Sequence, residues 1–498
     1  MINKKSIIRF TAFLLMLCMC ACCFAGCTKN PEGTSVGAVQ EEVLSEYYVE
    51  DEVTENNSDA QTSQAASQSQ GSTSNANGNS GTQNNSTVKI DMAKLKGQTV
   101  NMMMWRELNA SEKKVLENFQ KSTGINVKYT VVNQKEYMTK VAAEIAAKTG
   151  LDICAIQSGG MSILSGDSYP SSFPIGTLQT MQPFFEVTGQ NANDSIWAKS
   201  WMDPYKIKGK YYGVAIAGGW HTLSTVVFYN KDLFEENGIT TPRELWKAGN
   251  WNWDTFKDAA LKISAIDDYY YGYIGRDSYA YMLSSNADYV KYDGNKFTNT
   301  STDTSVKDAW KFLVDMIDSG AMFRPNGSAR YPQLFLEGKF GMYAEGSYCM
   351  SNIGMMGDYA YDIKDVAFEI DAVPFPSPKG QKNVAIHRGN LFGIAKNSKN
   401  PVAAGVFLRF WLDPKNSLPF SKTAINDNMR DVFEWINSES TPKKAFHSGG
   451  VLGYSDVDKM AGLTFELLTG TSAQINTTLS SYASFINSAV EEANKALK

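Results

Sequence analysis

Apolar and polar positions divide the chain into three unequal stretches. Phe10 to Phe24 is a nearly unbroken apolar run. From Thr54 to Thr87 aliphatic side chains almost vanish, and neither an aromatic nor a basic residue occurs. From Gln98 onward, short apolar segments recur at strand and helix periods to the end of the chain. Thr99–Met104 predicts a short buried strand. Asn109 stands three residues before Glu112, the spacing of a capping box, and Val115, Leu116 and Phe119 come next at helical spacing until Gly124, which is placed to end the helix. Ile125–Val131 alternates apolar and polar, a half-buried strand. Met138, Val141, Ala142 and Ile145 mark a second helix closed by Gly150, and Asp152–Ile156 is a third strand. The order βαβαβ predicts an α/β fold with a parallel sheet and right-handed crossovers.

That order has a consequence for function. The loop after the first strand, Trp105 to Asn109, and the loop after the third, Gln157 to Gly160, leave a parallel sheet at the same carboxyl edge. Ligands bind at that edge in open α/β sheets. Trp105 has a second reading, as a cover for the sheet edge, since Trp is usually at least partly buried. Farther along, Val306, Trp310, Leu313 and Ile317 share one face of a helix from Ser305 to Ser319 that stops at Gly320, a core pattern. Asp254 is placed to cap a helix bearing Phe256, Ala259, Ala260 and Ile263, with Trp251 and Trp253 packing it rather than stacking on a ligand.

The N-terminus reads as an address. Lys4, Lys5 and Arg9 precede the apolar run, which has the length of a signal h-region and is too short to span comfortably as a helix. It ends Phe24-Ala25-Gly26-Cys27, which resembles the lipobox of bacterial lipoproteins, with Phe24 where Leu is usual. The resemblance implies that Cys27 is acylated and becomes the new N-terminus. A plain signal peptide cleaved elsewhere is the alternative. Four of the seven Cys would leave with the signal and Cys27 would carry lipid, so only Cys154 and Cys349 remain. They form one bridge or two lone buried thiols, and the second is favoured. The polar stretch beyond the signal buries too little apolar surface to offset ordering entropy and is expected to be a disordered tether. About 60 such residues span about 40 Å on average.

Charge is distributed unevenly. Residues 1–27 carry +3 and residues 28–88 carry −8, so residues 89–498 balance at 43 basic against 43 acidic. A neutral module has no global field to attract nucleic acid, and no nucleic-acid partner is expected.

Motifs of one family accumulate in order along the module. They are Lys208–Val214, Thr225–Phe234, Asn237-Gly-Ile239, Trp246–Phe256, Leu334–Tyr343, Pro374–Gly380, Gly393–Pro401 and the C-terminal Ala489–Leu497. Together they resemble the extracellular solute-binding proteins of sugar ABC importers, the maltose-binding-type receptors, over essentially all of Gln98 to Lys498. The resemblance implies a periplasmic-binding-protein-like α/β fold with two lobes, a hinge of chain crossovers and an interlobe cleft that closes on ligand. By that analogy residues 1–26 are the signal, 27–96 the tether, 97–219 with 376–415 the first lobe, and 222–372 with 420–498 the second. The chain would leave the first lobe near Gly219–Leu223, return near Val373–Pro378 and cross again within 413–430. Ala217-Gly-Gly219 and the prolines at 374, 376 and 378 suit such segments, being turn-rich or extended.

A saccharide presents flat CH faces and a ring of hydroxyls, so its site needs aromatic plates and polar groups that make several hydrogen bonds. Candidate plates are Trp105, Trp220, Tyr281 and Tyr348, and candidate polar groups are Glu107, Gln157, His221, Glu345, Arg388 and Asn390. The later positions are placed by the family's cleft loops, and each also reads as a hinge or edge residue. There is no Gly-x-Ser-x-Gly elbow, no His-Glu-x-x-His and no phosphate-binding Gly loop. The three His (His221, His387, His447) show no metal-ligand spacing, and neither a metal nor a cofactor is expected. The expectation is therefore a non-enzymatic monomer, held by lipid on the outer face of the cytoplasmic membrane. It would bind a carbohydrate, an oligosaccharide by preference, for ABC permease subunits. A glycosidase's carboxylate pair leaves no local signature, so a surface-tethered glycan-degrading enzyme stays open as an alternative, as does a receptor for a non-sugar solute.

Overall fold

The computed structural model describes residues 90–133, 136–157, 160–161, 168–169, 195–219, 222–275, 278–324, 331–351, 366–387, 390–417, 420–445, 451 and 457–497. The signal, Cys27 and nearly all of the expected tether lie outside the described residues. The tether expectation runs a few residues too far. Helix α1 (Met92–Leu95) already buries Leu95 in the core, with Ile90 packed beside it. The polar run ends at Thr87, and these apolar side chains are enough to dock the segment that leads into the first strand.

From there the chain runs β1 (Thr99–Met104), α2 (Ala110–Thr123), β2 (Asn126–Val131), α3 (Tyr137–Ala147) and β3 (Ile153–Gln157). Asn109 Oδ1 accepts the Glu112 N–H at 2.9 Å and Glu112 Oε2 accepts the Asn109 N–H at 2.9 Å, completing the expected capping box. Gly124 ends α2 with φ 71°. Helix α3 ends earlier than expected: Lys148 takes the left-handed turn, and Gly150 comes after it as the entry to β3.

After the segment around Val214 come β4 (Thr225–Asn230), α4 (Lys231–Glu236), α5 (Pro242–Lys247), α6 (Trp253–Ser264), β5 (Tyr271–Gly275), α7 (Tyr279–Ser284) and α8 (Thr304–Asp318). Next are β6 (Phe340–Gly346), β7 (Ile370–Pro374), β8 (Ala385–Ile386), β9 (Asn390–Ile394), α9 (Pro401–Leu412), α10 (Asp427–Asn437), β10 (Lys443–Lys444), α11 (Val457–Thr469) and α12 (Ile475–Ala496). The cap of α6 is Asn252 rather than Asp254. Its Oδ1 accepts the N–H groups of Asp254 and Thr255, while Thr255 Oγ1 accepts the Asn252 N–H, so the helix begins at Trp253 and Asp254 lies in its first turn.

Two four-stranded sheets organise these elements. The first has order β9-β3-β1-β2, with β1 parallel to β2 and β3 and with β9 antiparallel to β3. The second has order β7-β4-β6-β5, with β4 antiparallel to both neighbours and β6 parallel to β5. Strand β4 is buried throughout, and its side chains alternate between two cores. Val226 and Phe228 join the core that runs through the first lobe, whereas Val227 and Tyr229 join that of the second lobe with α6, α8 and α12. Helix α6 lies so close on β5 that a Cβ at Gly272 would sit 2.1 Å from the Ala260 carbonyl oxygen.

The chain passes between the sheets three times: from Val214, which bridges Phe392 of β9, to β4; from β7 to β9; and from α9, packed on β1 and β9, to α10, packed on β7. These segments lie side by side. Ser224 pairs with His387, and its Oγ accepts the Ile386 N–H at 2.9 Å. Strand β8 pairs in parallel with β10, and Ala424 bridges Ser351 at the end of β6.

Candidate functional site

The first sheet delivers three of the sequence candidates to one edge. Trp105 comes directly after the last residue of β1. Gln157 ends β3, and the antiparallel register sets Asn390, the first residue of β9, directly opposite it. The half-buried Trp105 ring stacks on Phe392 (6.3 Å between centroids, 26° between planes) and meets the edge of Tyr137 at 5.8 Å. Trp105 therefore covers the sheet end, as its second reading expects, and remains partly exposed. Glu107 stands exposed beside it, accepting the Tyr129 hydroxyl at 3.2 Å. Arg106 turns away from this edge. Its guanidinium grips the buried Glu112 carboxylate with two bonds of 2.6 and 2.8 Å, which outweigh desolvation and raise its pKa.

The second sheet contributes the end of β6. Tyr348, half-buried, comes after Ser347, whose N–H donates to the Ser224 carbonyl at 2.8 Å and so ties this turn to the first crossing. Glu345 differs from the expectation of a ligand-facing carboxylate. It is fully buried, with Oε2 accepting the Tyr343 hydroxyl at 3.1 Å and Oε1 accepting the Gly346 N–H at 2.8 Å. Tyr281 is a correction. It is 1% exposed within the second core, edge-on to Phe375 at 5.1 Å, and burial beside Tyr273 drives its pKa well above the ordinary value. Helix α7 is buried all round, so the plate faces inward. Trp220, His221 and Arg388 lie outside the described residues.

The crossings between these edges are densely packed. The His387 ring is buried between Trp201 and Tyr205, at 4.8 and 4.9 Å. In β10, Lys443 is 8% exposed. Its ammonium donates to the Ser438 and Thr441 carbonyls at 2.7 and 2.8 Å, and burial pulls its pKa down to about 8. Cys154 and Cys349 are separate buried thiols, and burial pushes Cys154 up to about 12. Trp251 and Trp253 are structural. Their indole N–H groups donate to Pro374 O at 2.8 Å and Pro376 O at 3.1 Å, fastening α6 to the second crossing.

Sequence reasoning missed the strongest polar tie. Arg243 Nε and Nη2 bind Asp371 at 2.5 and 2.8 Å, Tyr229 donates to the same carboxylate at 2.9 Å, and Arg243 Nη2 reaches the Asn428 carbonyl at 2.9 Å. No spacing signal marks partners 128 residues apart. Among the described residues no group of three or more His, Cys, Asp or Glu is arranged to hold a metal ion, and no helix is long and apolar enough to cross a membrane.

The chain thus presents two α/β lobes, three crossings and a first-sheet edge that bears Trp105, Gln157 and Asn390. Known proteins share that plan. A binding protein of Brucella abortus is 28% identical over 303 residues, 58% of this chain and 64% of that protein, so the match spans somewhat less than two thirds of the relative's length. The diacetylchitobiose binding protein of Streptomyces coelicolor is 25% identical over 298 residues, 55% of this chain and 66% of that protein. Among solved structures, the GacH receptor of Streptomyces glaucescens, determined unliganded and with acarbose, superposes with a TM-score of 0.57 at 18% identity. That superposition covers 79% of this chain and 98% of the receptor. The model of the bacterial extracellular solute-binding proteins matches residues 105–417, from the Trp105 edge into the third crossing, and the chain belongs to that family.

Proposed function

We propose that this protein is the lipid-anchored, carbohydrate-binding component of an ABC importer, which captures an oligosaccharide outside the cell and passes it intact to permease subunits. The observation that carries the sugar reading is the register of the first sheet. It sets residue Gln157 opposite Asn390, with the half-exposed Trp105 at the end of the neighbouring strand, so that three candidate residues share one edge. A pyranose is recognised by that combination, its CH face on the indole and its hydroxyls on amides. We take Tyr348, half-buried in the turn after β6, as a further plate, and Trp220, His221 and Arg388, which lie outside the described residues, as the remaining candidates. The diacetylchitobiose and acarbose ligands of the two relatives agree with this class. In this reading the protein holds its glycan by stacking and hydrogen bonds and releases it intact.

Calorimetry against mono- and oligosaccharides tests the reading. A glycan is expected to bind, and Trp105→Ala is expected to weaken it by about 1–3 kcal/mol, the range of aromatic stacking. Binding of a peptide or amino acid alone would overturn the sugar class, and released fragments after long incubation would make the protein an enzyme. The anchor has its own test: Cys27→Ala is expected to release the protein from membranes with its ligand affinity unchanged.

A further inference from the structure

A second concavity, of about 830 Å³, lies where α5 and α10 meet the second crossing and shares no residue with the sheet edges described above. Its walls are the end of α5, the turn from Gly249 to Asn252, the return segment 380–383, and α10 with its exit from Ser438 to Pro442. The floor is held rigid. Trp251 is pinned to Pro374 O, and the Arg243–Asp371 pair ties α5, β7 and α10 together beneath it. A concavity so fixed loses little freedom on binding.

Two tryptophans stand half-buried in its wall, Trp246 and Trp435, 6.0 Å apart and nearly perpendicular at 88°. The Trp246 ring already carries the chain's own cations, Lys247 at 4.9 Å and Arg243 at 5.7 Å. Among the described residues no cation lies over the Trp435 ring. Around it the charges balance, Lys247 and Lys382 against Asp431 and Glu434, with Lys247 paired to Asp431 at 3.0 Å. The side chains of Gln381, Lys382 and Glu434 engage no partner among the described residues. A half-buried indole with an amide, an ammonium and a carboxylate around it, and no net charge, suits a neutral ring that offers a CH face and several hydroxyls. On Trp246 a cationic ligand would have to displace Lys247, which already occupies the position over that ring.

We propose that this concavity is a second carbohydrate site, which takes a neutral pyranose on Trp435 independently of the crevice. It shares only the ligand class with the function proposed above. The test labels the full chain with 5-fluorotryptophan, assigns the Trp435 and Trp246 resonances with Trp435→Phe and Trp246→Phe, and tracks them by fluorine NMR. Methyl glucopyranoside, N-acetylglucosamine and maltotriose are titrated, with choline as the cationic control, into the otherwise unmodified chain and into Trp105→Ala. Saturable movement of the Trp435 resonance by a sugar in both chains is expected. Gln381→Ala, a change in an exposed loop, is expected to weaken that response about three- to tenfold, the effect of one hydrogen bond. Three outcomes overturn the site: movement that disappears in Trp105→Ala, movement with choline only, or a still Trp435 resonance while calorimetry records sugar binding elsewhere. If Trp435 responds to sugar while the crevice binds none, this site stands and the crevice reading fails.

Discussion

The two lobes reach similar sheets by different routes. The parallel strands of the first sheet come from one continuous segment, 99–157, and its helices start and stop on neighbouring residues such as Asn109, Glu112 and Gly124. In the second sheet β4 lies between β7 and β6, which come more than 100 residues later in the chain. Its ties are as distant: Arg243 to Asp371, Trp251 to Pro374, Trp253 to Pro376. The first three strands of the first sheet are specified by short-range signals and only its edge strand β9 comes from a remote segment, whereas the second sheet depends throughout on contacts between remote segments. Loop-closure entropy must be overcome before such contacts form, so each has more to hold together.

The sharpest way to break this comparison is Arg243→Ala. The guanidinium is 12% exposed and its partner carboxylate 1%, so truncation leaves Asp371 buried and short of its counter-charge. A loss of about 3–5 kcal/mol is expected in urea unfolding, the cost of breaking a buried pair by removing one partner. Asp371→Asn, which keeps the shape and removes the charge, is expected to lose less. A cost for Arg243→Ala no larger than that of a helix cap would remove the distinction between the lobes.

Lys443 offers a test by pH at the crossings themselves. Its folded pKa of about 8 lies below the ordinary 10.5. Between those values the unfolded chain holds a proton that the folded chain has released, so stability rises as pH rises from about 8 to 10.5. Below about 8 the penalty for burying the ammonium is complete and constant. The limiting slope for one such group is about 1.4 kcal/mol per pH unit. Lys443→Met is expected to remove this slope from the urea midpoints measured across that window, whatever its effect on the midpoint at pH 7. An unchanged slope would mean that the lysine is not desolvated as the two carbonyl contacts imply.

The same division explains what the sequence disclosed. The βαβαβ order, the capping box and the core face of α8 rest on neighbours within about a turn or a strand, and periodicity carries that information. Trp105 and Gln157 were legible as candidates because a parallel sheet sends its loops to one edge, whereas Asn390, which opens an antiparallel strand, was placed only by the family resemblance. Tyr281 misled because an aromatic after a strand reads alike whether it faces a crevice or a core. The burial of α7 on all sides depends on Phe312 and Phe375, remote in sequence. Asp254 misled for a subtler reason. Asn252 and Asp254 are both good caps two residues apart, and the burial of Trp253 selects the earlier one. Arg243, Lys443 and the Trp246–Trp435 corner left no trace, since each owes its character to segments brought together only by the fold.

The smallest expected effect belongs to the first lobe. Asn109→Ala removes the side chain that accepts the Glu112 N–H, and it opens one half of the box that starts α2. The cost of losing such a cap is about 0.5–2 kcal/mol. Here the lower half of that range is expected, because Glu112 is held a second time by the two bonds from Arg106 and its return bond to the Asn109 backbone survives the substitution. Combined with Arg106→Ala the loss is expected to exceed the sum of the two single changes, because residues in one hydrogen-bonded cluster couple. A double-mutant cycle on urea midpoints reads that coupling. Strict additivity would show that cap and ion pair act separately, and that even the lobe built from local signals has no cooperative start to its first helix.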